Sequence, residues 1–101
     1  MNKRNVVISE KAQQDLRDLS NTISLEYMSP LTAIQYLKGI YIEMRKLEST
    51  AETFTIQPSN FFRQYGIHVR RVNYKKMAII YSVVHQTVYI QAIIPSSTIK
   101  G

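Results

Sequence analysis

The spacing of hydrophobic positions changes twice along the chain, and the changes mark out the predicted elements. Val6-Val7-Ile8 is a short apolar run closed by Ser9. It reads as a strand handing over to a helix, with Ser9 as N-cap and Glu10 in the first turn, where the helix dipole favours a negative charge. Ala12, Leu16, Leu19, Ile23 and Tyr27 then recur at steps of four and three. They form the apolar stripe of an amphipathic helix, with Gln13, Gln14, Arg17, Asp18 and Asn21 opposite. Ser29-Pro30 opens a second helix: Ser29 caps, Pro30 takes the first helical position, and Met28 ahead of them is held out of the α region. Leu31, Ile34, Leu37, Tyr41 and Met44 keep the helical period to about Ser49, and Ala33, Ile40 and Leu47 widen the stripe, so the Met and Tyr residues of this helix are expected in the core. The short junction implies an antiparallel helical hairpin. Gly39 costs that helix about 1 kcal/mol relative to alanine, which a close packing contact would explain.

From Val69 to Ile94 the period becomes two. Lys75-Lys76 and His85-Gln86 split this β-branched and aromatic stretch into three strand-length runs joined like consecutive hairpins. In the first run Val72 and Tyr74 oppose Arg71 and Asn73. In the last, Val88, Ile90, Ala92 and Ile94 oppose Thr87, Tyr89, Gln91 and Ile93. The middle run, Met77 to Val84, is apolar on both faces, as a central strand should be. Two helices cover one side of such a sheet. Val72, Tyr74, Val88, Ile90 and Ala92 are therefore expected to face the hairpin, and Arg71, Asn73, Ala78, Ser82, Tyr89 and Gln91 to form a shallow polar and aromatic surface on the other side. Between helices and sheet, Thr50 to Gly66 keeps no sustained period. Its aromatic residues Phe54, Phe61, Phe62 and Tyr65 suggest a segment that packs over the sheet edge or the helices, hiding a short strand or helical turn, or else a functional loop. The expected fold class is α+β: an N-terminal strand, an antiparallel helical hairpin, then a three-stranded antiparallel meander completing one sheet.

Composition narrows the function classes. A length of 101 residues suits one domain spanning 1–101, and no run of about 18 apolar residues suggests a membrane span. The basic opening Met1 to Asn5 is followed by too short an apolar run for a secretory signal, so the expected location is cytoplasmic. With no cysteine there is no disulfide framework or thiolate site, and neither His68 nor His85 has ligand-type neighbours. No metal and no cofactor is expected. Glycine-rich phosphate loops, H-E-x-x-H and the nucleophile elbow are all absent from the sequence.

Charge changes the picture most. All seven acidic residues lie in the first 52 positions, where seven of the thirteen basic residues balance them. From Thr53 onward there is no acid, and Arg63, Arg70, Arg71, Lys75, Lys76 and Lys100 account for the net charge of +6. This asymmetry points to an anionic partner, nucleic acid or an acidic protein segment; the alternative is a basic surface kept for solubility. The candidate target or nucleic-acid contacts are Arg63, Arg70, Arg71, Asn73, Lys75, Lys76, Tyr89 and Gln91. No carboxylate base is available on the sheet, so any chemistry there falls to Arg, Lys, Tyr or His, with Arg71 and Tyr89 the catalytic candidates.

The order of elements resembles the RelE/ParE superfamily of type II toxin-antitoxin toxins. Ile8-Ser9-Glu10-Lys11-Ala12-Gln13-Gln14-Asp15-Leu16 with Ile23 is similar to the family's opening strand, S-x-x-A-x-x-D-L and later isoleucine. Arg71-Val72-Asn73-Tyr74-Lys75-Lys76-Met77-Ala78-Ile79-Ile80-Tyr81 is similar to its R-L-x-V-x-x-Y-R-V-L-Y. In RNA-cleaving members, the arginine before the closing V-L-Y and further basic or aromatic residues in the C-terminal stretch neutralise phosphate and assist proton transfer. That arginine falls on Ala78 here, and the chain ends Pro95-Ser96-Ser97-Thr98-Ile99-Lys100-Gly101. The resemblance therefore favours the ParE branch, whose members poison DNA gyrase by binding and are neutralised by a cognate antitoxin carrying an acidic, partly disordered segment. The alternatives are a ribosome-dependent mRNA interferase of the RelE kind, acting on ribosome and mRNA, and a degenerate module that only binds antitoxin. A homodimer or a heterotetramer with antitoxin are the assemblies such a family implies.

Overall fold

Local signals set the element boundaries. A computed structural model describes residues 3–100, with Met1, Asn2 and Gly101 outside the described residues. Strand β1 (Asn5–Ile8) leads to helix α1 (Glu10–Tyr27), whose N-cap Ser9 accepts from the Ala12 N–H at 3.0 Å. Ser29 caps helix α2 (Pro30–Thr50) in the same way, through the Thr32 N–H at 3.2 Å. Strands β2 (Arg70–Tyr74), β3 (Met77–Val84) and β4 (Thr87–Pro95) are joined by two-residue turns at Lys75-Lys76 and His85-Gln86, each entered through a residue at positive φ. The sheet order is β1-β4-β3-β2. The meander is antiparallel, and β1 adds parallel to β4 at the far edge. This is the α+β arrangement expected from the sequence.

The main core lies between the helical hairpin and one sheet face. It joins Ala12, Leu16, Ile40, Met44 and Leu47 to Val72, Ile79, Tyr81, Val88 and Ile90. Gly39 has the expected explanation: a Cβ there would overlap the Tyr74 ring, which lies across α2 and meets Tyr36 edge-on at 5.3 Å. The absence of a side chain lets strand and helix close on each other.

Tyr81 is wholly buried and its hydroxyl donates to the Ala51 carbonyl at 2.6 Å, tying the centre of the sheet to the end of α2. Burial pushes its phenol up from 10 to about 12, with the nearby Arg70 acting in the opposite sense. A phenol whose pKa is higher in the folded chain than in the unfolded one stabilises the fold fully below pH 10. That contribution, on the order of 2–3 kcal/mol, is lost as pH rises from about 10 to about 12. Urea titrations across this range should show a steeper fall in stability for the wild type than for Tyr81→Phe; parallel curves would show that the buried phenol is not responsible.

Two expectations about the sheet are corrected. First, Ala92 does not face the hairpin. Ile80 pairs with Ala92 but Tyr81 pairs with Ile90, so Gln91 is an extra residue in β4, a β-bulge that reverses the alternation after it. Ile93 turns to the helical side, while Ala92 and Ile94 turn to the opposite face. Second, that opposite face is not left open along its length. The segment expected to hide a short element forms two 3₁₀ helices, Ala51–Thr53 and Asn60–Tyr65, with an isolated bridge from Ile56 to Arg70. Phe62, flanked by Phe61 and Tyr65, seals a second core over Val69, Ala78, Ile80, Ala92 and Ile94.

The bulge is held from outside the sheet. Beyond the end of β1, the outer edge of β4 has no strand to pair with, and α1 supplies the partners instead. The Ser9 hydroxyl donates to the Gln91 carbonyl at 3.2 Å, and the Asp15 carboxylate accepts from the Ile93 N–H at 2.9 Å while also binding Lys11. Ser9, Ala12, Asp15 and Leu16 thus act together: two polar anchors for the strand edge, with a small residue and an apolar one packed between helix and sheet.

Candidate functional site

The predicted contact residues are dispersed by the fold. Arg70 is not a free cation: it lies on the helical side, and its guanidinium donates to the carbonyls of Glu52 and Phe54 at 3.1 and 2.6 Å, holding down the exit from α2. Arg71 faces the opposite side and donates from Nε to Asn73 Oδ1 at 3.0 Å. Lys75 occupies its turn with the ammonium 5.4 and 5.6 Å from the ring centres of Tyr36 and Tyr74, a cation–π arrangement at the hairpin tip. Lys76 follows it in the same turn, exposed, and Arg63 sits on the 3₁₀ helix beside a cleft of about 400 Å³ that His68 and Ser59 also line.

Arg71 and Tyr89 are not brought together as an acid-base pair. Arg71 pairs with Ile80 on β3, whereas Tyr89 lies on β4 opposite Ser82, two strands across and two positions along. Among the described residues, no side chain hydrogen-bonds the Tyr89 hydroxyl, and the Gln91 amide is engaged with Ser82 Oγ at 3.0 Å. Ala78, where the resemblance sets an arginine in RNA-cleaving members, is fully buried in the core under Phe62. Among the described residues, no group of three or more His, Cys, Asp or Glu could hold a metal, and no helix is long and apolar enough to cross a membrane.

The feature that sequence reasoning missed is on the other side of the molecule. Helix α2 buries only Ala33, Ile40, Met44 and Leu47, and leaves Leu31, Ile34, Tyr41 and Ile42 exposed. Tyr41, expected in the core, is about half exposed. It stands between two grooves. One, of about 420 Å³, runs between α2 and β1 and is lined by Val6, Ile8, Tyr41 and Ile42 together with the charged residues Lys38, Arg45 and Glu48. The other, of about 260 Å³, runs between the helices past Leu16 and Leu37, with Arg17 at its rim. The first also lies along the free edge of the sheet, because β1 pairs only with β4. An apolar floor, an unpaired strand edge and three cations, Lys38, Arg45 and Arg17, against one carboxylate, Glu48, together suit an amphipathic polypeptide segment with acidic side chains. The signal for this surface was present in the sequence: α2 has more large apolar residues than one helix face can bury.

Comparison with known proteins adds the following. A family model described as the ParE toxin of type II toxin-antitoxin system, parDE, matches residues 6–99. No curated protein sequence matches the chain. Nine chains of solved structures match. One of them, described as the chromosomal ParDE TA system from P. aeruginosa, superposes with a TM-score of 0.76 over 92% of this chain and 96% of that one, at 17% sequence identity. At that identity the likeness is one of fold.

Proposed function

The chain belongs to the ParE toxin family of type II toxin-antitoxin systems, and from that premise we propose that it arrests growth by binding DNA gyrase rather than by cutting RNA, and that a cognate antitoxin silences it. The observation that carries the choice of binding over cleavage is Ala78. An arginine at that position would have to bring its charge into the apolar core sealed by Phe62, where burial without a partner is costly. Arg71 and Tyr89, the remaining candidates, stand apart and share no hydrogen bond. A binding protein needs only a shaped surface, and this fold has one.

The antitoxin is proposed to lie in the groove between α2 and β1. The strand edge offers backbone hydrogen bonds, Tyr41 and Ile42 offer apolar area, and Lys38, Arg45 and Arg17 attract acidic side chains. An acidic antitoxin drawn to a chain of net charge +6 should bind less tightly as salt rises. An affinity unchanged between low and high ionic strength would remove the electrostatic part of this reading.

Inducible expression in a bacterial host tests the function. Growth arrest with DNA breakage and an SOS response is the expected outcome. Codon-positioned mRNA cleavage on ribosomes that disappears in Arg71→Ala would replace gyrase binding with ribonuclease action, and normal growth would remove the toxin reading altogether.

A further inference from the structure

The segment from Ile56 to Arg70 leaves the edge of the sheet and returns to it. Its neck is tied twice, by the bridge between Ile56 and Arg70 and by the Gln57 N–H, which bonds the Val69 carbonyl at 2.9 Å. Between these ends Phe62 is buried in the second core, and the Ser59 hydroxyl donates to the Lys100 carbonyl at 2.9 Å. A loop joined at its ends and anchored in this way keeps a fixed shape. Every residue that lines the cleft of about 400 Å³ belongs to this one loop, and the space lies within the range of pockets that take small molecules.

The lining fixes the chemistry. Ile56, Pro58, Ile67 and Val69 give the cleft apolar walls, and Ile67 is 80% exposed, so its side chain returns nothing to the fold. Gly66 at φ of 134° and His68 at φ of 56° set it there, the histidine at a conformational cost. Arg63 is the one permanently charged residue in the lining. Among the described residues no carboxylate pairs with it, whereas Arg70 and Arg71 are each hydrogen-bonded within the fold. The sequence has no acid after Glu52 to supply a counter-charge from the same half of the chain.

A cation without a counter-ion, set beside apolar walls, suits an anion that carries its own apolar body. One arginine matches one negative charge, and its planar fork fits a carboxylate through two parallel hydrogen bonds. A phosphate monoester would bring nearly two charges to that single cation. We propose that the loop from Ile56 to Arg70 binds a small monocarboxylic acid, with the carboxylate on Arg63 and the apolar body against Ile56, Ile67 and Val69. The site lies at the β2 edge of the sheet, whereas the groove assigned to the antitoxin runs along the β1 edge, so this inference does not depend on the gyrase or antitoxin reading.

Amide-resolved NMR titration of the full chain reads affinity and place together. Naphthoate is the probe, naphthamide supplies the same body without the charge, acetate the charge without the body, and naphthyl phosphate the dianion. The expected result is saturable binding of naphthoate with shifts centred on residues 56–69, about tenfold or more weaker for naphthamide and absent for acetate, with naphthyl phosphate binding no more tightly than naphthoate. Arg63 is exposed, so Arg63→Gln should leave the thermal midpoint unchanged while it weakens naphthoate by about tenfold and leaves naphthamide as it was. Ile67→Ser should weaken acid and amide alike. Absence of saturable binding, equal affinity for acid and amide, an Arg63→Gln chain that binds naphthoate as the wild type does, or shifts that fall on the exposed apolar residues of α2 would each overturn the proposal. Tighter binding of naphthyl phosphate would overturn the choice of a monocarboxylate.

Discussion

Replacing Asp15 with alanine should lower the free energy of unfolding by about 2–3 kcal/mol. The cause is non-local. The bulge at Gln91 shifts the alternation of β4 so that the Ile93 N–H points outward beyond the end of β1, and the Asp15 carboxylate is what it meets, at 2.9 Å. Hydrogen bonds to an ionised acceptor are among the stronger ones, and alanine would leave a partly buried donor without a partner. Asn at the same position keeps an acceptor oxygen and loses the charge, so Asp15→Asn should recover about half of the loss. Urea denaturation of the three proteins gives the comparison. A loss below about 0.5 kcal/mol for Asp15→Ala would show that the bulge holds itself and that α1 contributes only packing.

The second large effect concerns the antitoxin. Changing Tyr41 and Ile42 together to glutamate should weaken its binding by about 100-fold or more, which corresponds to about 3 kcal/mol. Both side chains are about half exposed, so the change should leave unfolding nearly untouched while removing the apolar centre of the groove and setting two negative charges against an acidic segment. The alanine pair separates the two contributions: its loss reports the apolar area, and the difference between the pairs reports charge. Calorimetric titration with the antitoxin measures both. Unchanged affinity in the glutamate pair would move the antitoxin to another face of the molecule.

Local chemistry was the legible part of this fold. Ser9, Ser29-Pro30 and the two polar pairs Lys75-Lys76 and His85-Gln86 each act on their own neighbours, and the structure begins and ends its elements at them. The faces of β2 were also readable, because strand alternation there is uninterrupted. What the sequence hid depends on distant partners. Strict alternation misplaces Ala92 and Ile94, since the bulge that turns them becomes visible only when Ser9 and Asp15 are found beside β4. The covering of the second sheet face was hidden for a similar reason: Phe61, Phe62 and Tyr65 announce burial without saying against what. Arg70 shows a different failure. Its parity with Val72 and Tyr74 already put it on the helical side, but charge alone had grouped it with the contact residues.

The candidate site was less legible than the fold. Basic residues in the second half suggested one surface, and the structure spreads them over a turn, a 3₁₀ helix and both sheet faces. The surface best shaped for a polypeptide partner lies on α2 and β1 instead. An apolar stripe read as core proved wider than the sheet it packs against, leaving Leu31, Ile34 and Tyr41 in solvent, with Ile42 exposed beside them.

The central claim is that the chain acts by binding gyrase and not by cleaving RNA. Its most direct test is a supercoiling assay with purified DNA gyrase, run beside translating ribosomes carrying a defined mRNA. Gyrase inhibition by the wild-type chain, relieved by the antitoxin, with the ribosomal mRNA left intact, is the predicted result; unimpaired supercoiling at large excess, with mRNA cut on the ribosome, would contradict it.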